Sequence, residues 1–198
     1  IVSIHISQIL SGTYNSALQA SKNLEGEINI HVVDSEQVSM SLGFSTIAAA
    51  QTANQGGSVE EIISAAESTA DRSRFVVLLD TLEYLAKGGR IGKAQSLLGG
   101  LLKIRPILTV ENGEIAPYGK ARSRKAGLSK LEQAIRSFGD IEEIYVMYST
   151  DTKDAEIVAE KVSDLLPVGK TPMLIRVGPV IGTHAGPNLV ALGFLTAV

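Results

Sequence analysis

Hydrophobic and polar positions along this chain switch between a period of two and a period near 3.6, and the switches mark its elements. Ile1-Val2-Ser3-Ile4-His5-Ile6 alternates and predicts a strand, followed by the small polar loop Ser7–Thr13. From Tyr14 to about Leu24 the apolar positions Ala17, Ala20 and Leu24 recur at helical spacing. Residues 28–33 predict a second strand ending at Asp34-Ser35, and residues 41–55 an Ala-rich helix stopped by Gly56-Gly57. Ser58 with Glu61 three residues on is a capping box that opens a helix running to about Asp71. Residues 75–79 are a short unbroken apolar run, as expected of a buried strand. This strand–helix–strand–helix order predicts an α/β lobe with a parallel sheet.

The second half has a different rhythm. Residues 81–86 predict a short helix broken by Lys87-Gly88-Gly89, and residues 94–102 an apolar helix. Two strands, 104–110 and 114–118, flank Asn112-Gly113, the strongest short-range hairpin signal. A helix (123–137), a strand (144–148), a helix (154–166) and a strand (173–177) follow. The chain then runs through Gly178-Pro179-Val180-Ile181-Gly182-Thr183-His184-Ala185-Gly186-Pro187, read as a rigid, exposed turn. A hairpin mixed with helices predicts a second lobe of α+β type with a mainly antiparallel sheet. The boundary is placed near Arg72–Arg74, giving lobes of residues 1–74 and 75–198.

Composition narrows the chemistry. Hydrophobic residues make up 44% of the 198, aromatics only 5%, and Trp is absent, so the core is aliphatic. The absence of cysteine removes disulfides, thiolate catalysis and Cys-based zinc. A net charge of −3 does not point to nucleic acid. No apolar run reaches the roughly 18–20 residues needed to cross a bilayer, so no stable membrane insertion is expected. The start has neither a basic region nor a cleavage site, so a cytoplasmic protein is expected. The chain opens without Met inside an apolar β-branched run, so a preceding segment is expected as well.

Several segments carry candidate chemistry. Leu10-Ser11-Gly12-Thr13-Tyr14 joins a strand to a helix, where free N–H groups and the positive end of the helix suit an anion. Ser11 and Thr13 add hydroxyl donors, and Gly12 allows a tight turn or close approach to a ligand. An ordinary helix cap accounts for the same residues. His184 is one of three histidines; it reads either as a donor to an anionic ligand or as a surface residue, while His5 and His31 lie in strands. The three lack zinc-ligand spacing, so no metal site is expected. Gly88-Gly89-Arg90-Ile91-Gly92-Lys93 fails the phosphate-loop pattern and reads as a helix stop and turn. Lys120, Arg122, Arg124 and Lys125 crowd the start of a helix, where cations oppose the dipole; a solvated face and a partner surface both fit. Ser11, His184 and Asp34 have the residue types of a hydrolase triad, but no Gly-x-Ser-x-Gly elbow is present.

As a set these segments resemble the DegV family, whose better-studied members are the fatty-acid-binding subunits of bacterial fatty acid kinase. The matching stretches are residues 3–17, Val33–Gly43, Asp80-Thr81-Leu82-Glu83-Tyr84-Leu85, Lys87–Lys93, Lys103–Leu108, Gly119–Lys125 and Gly178–Pro187, in family order over the whole chain. The resemblance implies two lobes, an acyl chain in a buried tunnel, and a carboxylate held by Ser11 and His184 between the lobes. It implies a third carboxylate ligand, a threonine, in a family segment that this sequence does not contain. It implies that Lys120, Arg122 and Arg124 lie in a region that docks an ATP-binding kinase subunit. A carrier that is not itself an enzyme, with a fatty acid as its only ligand and no cofactor, is therefore expected. The rival readings are a Ser/His hydrolase of acyl esters and a regulatory or nucleic-acid-binding protein using the basic segment, which the acidic net charge disfavours.

Overall fold

The computed structural model describes residues 1–98 and 104–197, which fall into two compact units. The first comprises Ile1–Ser73 with the turn Asn112–Glu114; the second comprises Arg74–Glu111 and Ile115–Val198.

In the first unit, β1 (Val2–His5) and β2 (His31–Asp34) pair in parallel, with Val2 opposite His31 and His5 opposite Asp34. Helices α1 (Thr13–Asn23), α2 (Ser39–Asn54) and α3 (Val59–Arg72) complete it. The capping box forms as expected: Glu61 N–H donates to Ser58 Oγ at 3.2 Å, and Ser58 N–H donates to Glu61 Oε2 at 2.7 Å. Ser45, fully buried on α2, donates its hydroxyl to the Ala66 carbonyl on α3 at 2.7 Å, a polar tie within an otherwise small-residue helix contact. The predicted second strand begins at His31 rather than at residue 28, because Leu24 to Ile28 are still held in helical turns by bonds back to Ser21, Lys22 and Leu24.

The second unit holds a six-stranded sheet in the order β5-β4-β3-β8-β6-β7. Its strands are β3 (Ser73–Leu78), β4 (Arg105–Glu111), β5 (Glu114–Ala121), β6 (Ile141–Tyr148), β7 (Met173–Arg176) and β8 (Val190–Thr196). Pairs β3–β4 and β6–β8 are antiparallel, and β6–β7 is parallel. Helices α4 (Glu83–Lys87), α5 (Arg124–Arg136), α6 (Lys153–Val162) and α7 (Pro179–Ala185) accompany it. The mixture of a small parallel sheet and a larger, mostly antiparallel one is the fold class expected from the sequence.

Three expectations need correction. Residues 178–187 are not a turn: Gly178 caps a helix begun by Pro179, a residue suited to the first helical position, and the helix ends at Gly186 with φ +79°. Strand β8 was not anticipated, although it lies in the middle of the sheet. The helix expected over 94–102 is a 3-10 helix, Gly92–Leu97, as far as residue 98; the rest lies outside the described residues.

The core of the second unit gathers Leu78, Ile107, Leu131, Ile135, Ile144, Val158 and Phe194, all 0–1% exposed. On its outside, Arg136 of α5 grips Asp164 through two hydrogen bonds of 2.9 Å and approaches Glu132, which also accepts from Lys161 at 2.9 Å. The Arg136 guanidinium lowers the Asp164 carboxyl below its ordinary value, and Lys161 lowers Glu132 in the same way. Carboxyls lowered by folding stabilise the native state above their unfolded values and lose that contribution as pH falls through the folded ones. Arg136→Met is therefore expected to flatten the acid limb of a stability–pH curve below about pH 4, measured by urea unfolding at a series of pH values.

Candidate functional site

In open α/β sheets, ligands bind beyond the carboxyl ends of the parallel strands. In the first unit β1 and β2 end together at His5 and Asp34, and the loops that follow are tied into one piece. Ser35 donates from its N–H and its hydroxyl to the His5 carbonyl, at 3.1 and 2.7 Å. Asp34 accepts from the N–H of Glu36 at 2.9 Å and of Gln8 at 3.3 Å. Ser7 N–H donates to the Gln37 carbonyl at 3.0 Å, and the Ser7 hydroxyl, fully buried, donates to the Gly113 carbonyl at 2.6 Å. Glu36 and Ser39 both adopt positive φ, 52° and 56°. Two non-glycine residues in the left-handed region within four positions cost on the order of 1 kcal/mol each, a strain that concentrates at functional loops. The hydrogen-bonded frame offsets it.

On this frame stands the start of α1. Gly12 is the N-cap residue, and no side chain caps the helix; no acidic residue lies in the first turn. The ordinary Ser/Thr cap that the sequence allowed is thus not the arrangement found. The Ser11 hydroxyl makes only a long contact of 3.4 Å with the Thr13 N–H, and Gly12 and Thr13 are exposed. The positive end of α1 is left open to an anion, with Ser11 and Thr13 beside it. Gly12 has φ −72°, which any residue adopts, and a Cβ there would meet nothing within 4 Å. Neither turn geometry nor internal packing calls for glycine at this position. Against β1, α2 and α3 leave an apolar cleft of about 360 Å³, lined by Val2, Ile4, Ala49, Ala53, Val59 and Ile62 among others.

His184 sits in the last turn of α7 in the second unit. Its Nδ1 is buried and has no hydrogen-bond partner. In a Ser-His-Asp triad that nitrogen must donate to the acid. Here it meets no acceptor, and the Asp34 oxygens accept backbone N–H groups of their own loop. The hydrogen bond that would orient a catalytic imidazole is not made. Among the described residues no cluster of His, Asp and Glu is arranged to hold a metal ion.

The basic segment divides. Lys120 and Arg122 are exposed at the end of β5 and just beyond it. Arg124 instead donates Nε to Asp154 at 2.6 Å and lies 3.4 Å from Asp80. Asp80 also pairs with Arg105 and accepts from Asn188 Nδ2 at 3.0 Å. These carboxylates explain how a cation is tolerated at the N-terminus of α5, where the dipole opposes it. Sequence reasoning missed this hub and the buried Ser7. Their signals, an acid just after one strand and a serine just after another, are too common to stand out.

A family model described as "Uncharacterised protein, DegV family" matches residues 1–197. A DegV domain-containing protein of Streptomyces coelicolor is 39% identical over 194 residues, 97% of this chain and 68% of the relative. One from Clostridium acetobutylicum is 37% identical over 202 residues, 99% of this chain and 70% of that protein. Among solved structures, a DegV family protein from Thermus thermophilus, described by its fatty acid binding, superposes with a TM-score of 0.89 at 30% identity, over 99% of this chain and 70% of that one. DegV from Bacillus subtilis, described as a fatty acid binding protein, gives 0.82 at 29% identity, over 99% and 70%. The motifs, the two sheets and these likenesses agree, and the chain belongs to the DegV family.

Proposed function

We propose that this chain is a cytosolic carrier that binds one long-chain fatty acid and holds its carboxylate for a separate ATP-binding kinase subunit, which forms the acyl phosphate. The observation that carries this reading is the open N-terminus of α1 beside Ser11, in a fold whose solved relatives from Thermus thermophilus and Bacillus subtilis are described as binding fatty acids. In the first unit Ser11, Thr13 and the first N–H groups of α1, with Gly12 leaving the approach clear, are assigned to the carboxylate. In the second unit His184 is assigned to it. A buried alkyl chain gains about 0.8 kcal/mol per methylene, so an apolar wall such as the cleft on β1 is worth several kcal/mol to the tail. An unpaired carboxylate would cancel much of that gain, so the head group needs hydrogen-bond donors.

Organic extracts of the purified protein, read by mass spectrometry, are expected to contain fatty acid. Ser11→Ala and His184→Ala are each expected to weaken palmitate binding roughly 10- to 100-fold, the worth of a hydrogen bond to a charged group. Absence of fatty acid from the extracts together with no measurable palmitate binding would sink the carrier. Turnover of a chromogenic ester, abolished by Ser11→Ala, would establish the hydrolase in its place. For the kinase step, Lys120→Glu with Arg122→Glu is expected to slow acyl-phosphate formation by the partner at least tenfold while leaving palmitate affinity unchanged, because exposed charges act mainly on encounter. Equal rates for wild type and variant would remove these residues from the docking surface. Arg124 enters the same surface on the family resemblance, but its ion pairs predict that Arg124→Glu also destabilises the second unit.

A further inference from the structure

The end of α4 and the last turn of α7, both in the second unit, are fitted together by two glycines, each making room for a ring of the other segment. A Cβ at Gly186 would overlap the Tyr84 ring, coming within 2.6 Å of Cε2. A Cβ at Gly88 would overlap His184 Nδ1 and stand 2.8 Å from Cε1. Gly186 has φ +79° and needs glycine for its conformation as well. Gly88 does not: φ −78° and ψ −5° suit any residue. Space alone excludes a side chain there, and the space is taken by the imidazole.

The backbone at Gly88 has little freedom to withdraw. Its N–H donates to the Tyr84 carbonyl at 2.9 Å, and its carbonyl accepts from Arg90 at 2.8 Å. Nδ1 of His184, buried and without a partner, therefore faces a Cα–H of Gly88. A ring lone pair accepts weakly from such a polarised C–H. An N–H at the same place would set two hydrogens against each other and leave a buried donor with no acceptor, a rare arrangement. In a neutral imidazole, whichever nitrogen is not the acceptor carries the proton.

We infer that Gly88 is a positioning residue for His184: its missing side chain forms a notch that seats Nδ1 unprotonated, so that the ring presents a single N–H, on Nε2, to an anionic ligand. The inference rests on the reading of His184 as a carboxylate ligand. It accounts for Lys87-Gly88-Gly89, where Gly89 with φ +67° ends the helix and Gly88 serves a different residue.

The test has a ligand-free arm and a binding arm. In the chain labelled with 15N-histidine, long-range 1H–15N spectra at neutral pH are expected to show His184 with an unprotonated Nδ1 and a protonated Nε2. Gly88→Ala is expected to displace the ring and move this signal toward the averaged tautomers of a free imidazole. The same variant is expected to bind palmitate roughly tenfold more weakly, to bind methyl palmitate about as well as wild type does, and to add nothing in a His184→Asn background. A wild-type spectrum with Nδ1 protonated overturns the inference, and it decides the matter even if Gly88→Ala does not fold. An unchanged His184 signal in a folded Gly88→Ala protein also overturns it. If the spectra behave as expected but wild-type protein binds no palmitate, Gly88 positions His184 and the fatty-acid reading is what fails.

Discussion

Phe194→Ala is expected to destabilise the second unit by about 3–5 kcal/mol, the range for truncating a fully buried aromatic side chain. Phe194 lies on β8 opposite Ile144 of β6 and has no exposed surface. Its ring meets Phe138 edge-on, with centroids 5.2 Å apart and planes at 63°, an arrangement that adds to the burial. Leu131, Ile135 and Val158 belong to the same cluster. These side chains come from the sheet, from α5 and from α6, so no single segment can move in to fill the void. Strand β8 also stands between β3 and β6, and it cannot shift without breaking ladders on both sides. Urea unfolding followed by circular dichroism measures the loss. A change below about 1 kcal/mol would mean that the cluster collapses around the cavity and that Phe194 is not its keystone. Phe194→Leu keeps most of the volume and is expected to cost less.

The same strand shows where sequence reasoning stops. Elements with a strong local signature were legible: the Ser58–Glu61 capping box and the Asn112-Gly113 turn both form, because each is decided by hydrogen bonds or backbone conformations within a few residues. Val190–Thr196 offers no such signal. A strand covered on both faces carries no alternation, and Gly193 interrupts its apolar run. Gly178–Pro187 misled in the opposite sense. Its glycines and prolines suggested a turn, but Pro179 begins the helix and Gly186 ends it, so the same residues punctuate an element instead of replacing one. At the candidate site, Ser11 and His184 were conspicuous through their motifs. What surrounds them was not, because Ser7 with Gly113 and His184 with Gly88 are contacts across long stretches of sequence. Nothing local in the chain announces that a glycine is present for the sake of a distant ring.

Gly113→Ala is expected to destabilise the first unit by about 2–4 kcal/mol and to weaken ligand binding through the loop that carries Ser11. Two penalties combine. Gly113 has φ +75°, where a side chain costs about 1–2 kcal/mol. A Cβ there would also stand 2.7 Å from the Ser7 hydroxyl, which is fully buried and donates to the Gly113 carbonyl at 2.6 Å. Pushing that hydroxyl away leaves a buried polar group unsatisfied, at a cost of about 1–3 kcal/mol. Ser7 is also the anchor of its own loop: its carbonyl accepts from Leu10 and Ser11 at 3.0 Å, and its hydroxyl from Ile9 at 3.2 Å. Displacing Ser7 therefore moves Ser11 and the open end of α1 with it. Ser7→Ala separates the two effects. It removes the hydroxyl without adding a clash, so it is expected to cost about 1 kcal/mol and to perturb palmitate binding less than Gly113→Ala does. Calorimetric unfolding paired with palmitate titration of both variants tests the coupling. If Gly113→Ala lowers stability but leaves palmitate affinity at the wild-type value, the Ser7 frame supports the fold and has no part in placing Ser11.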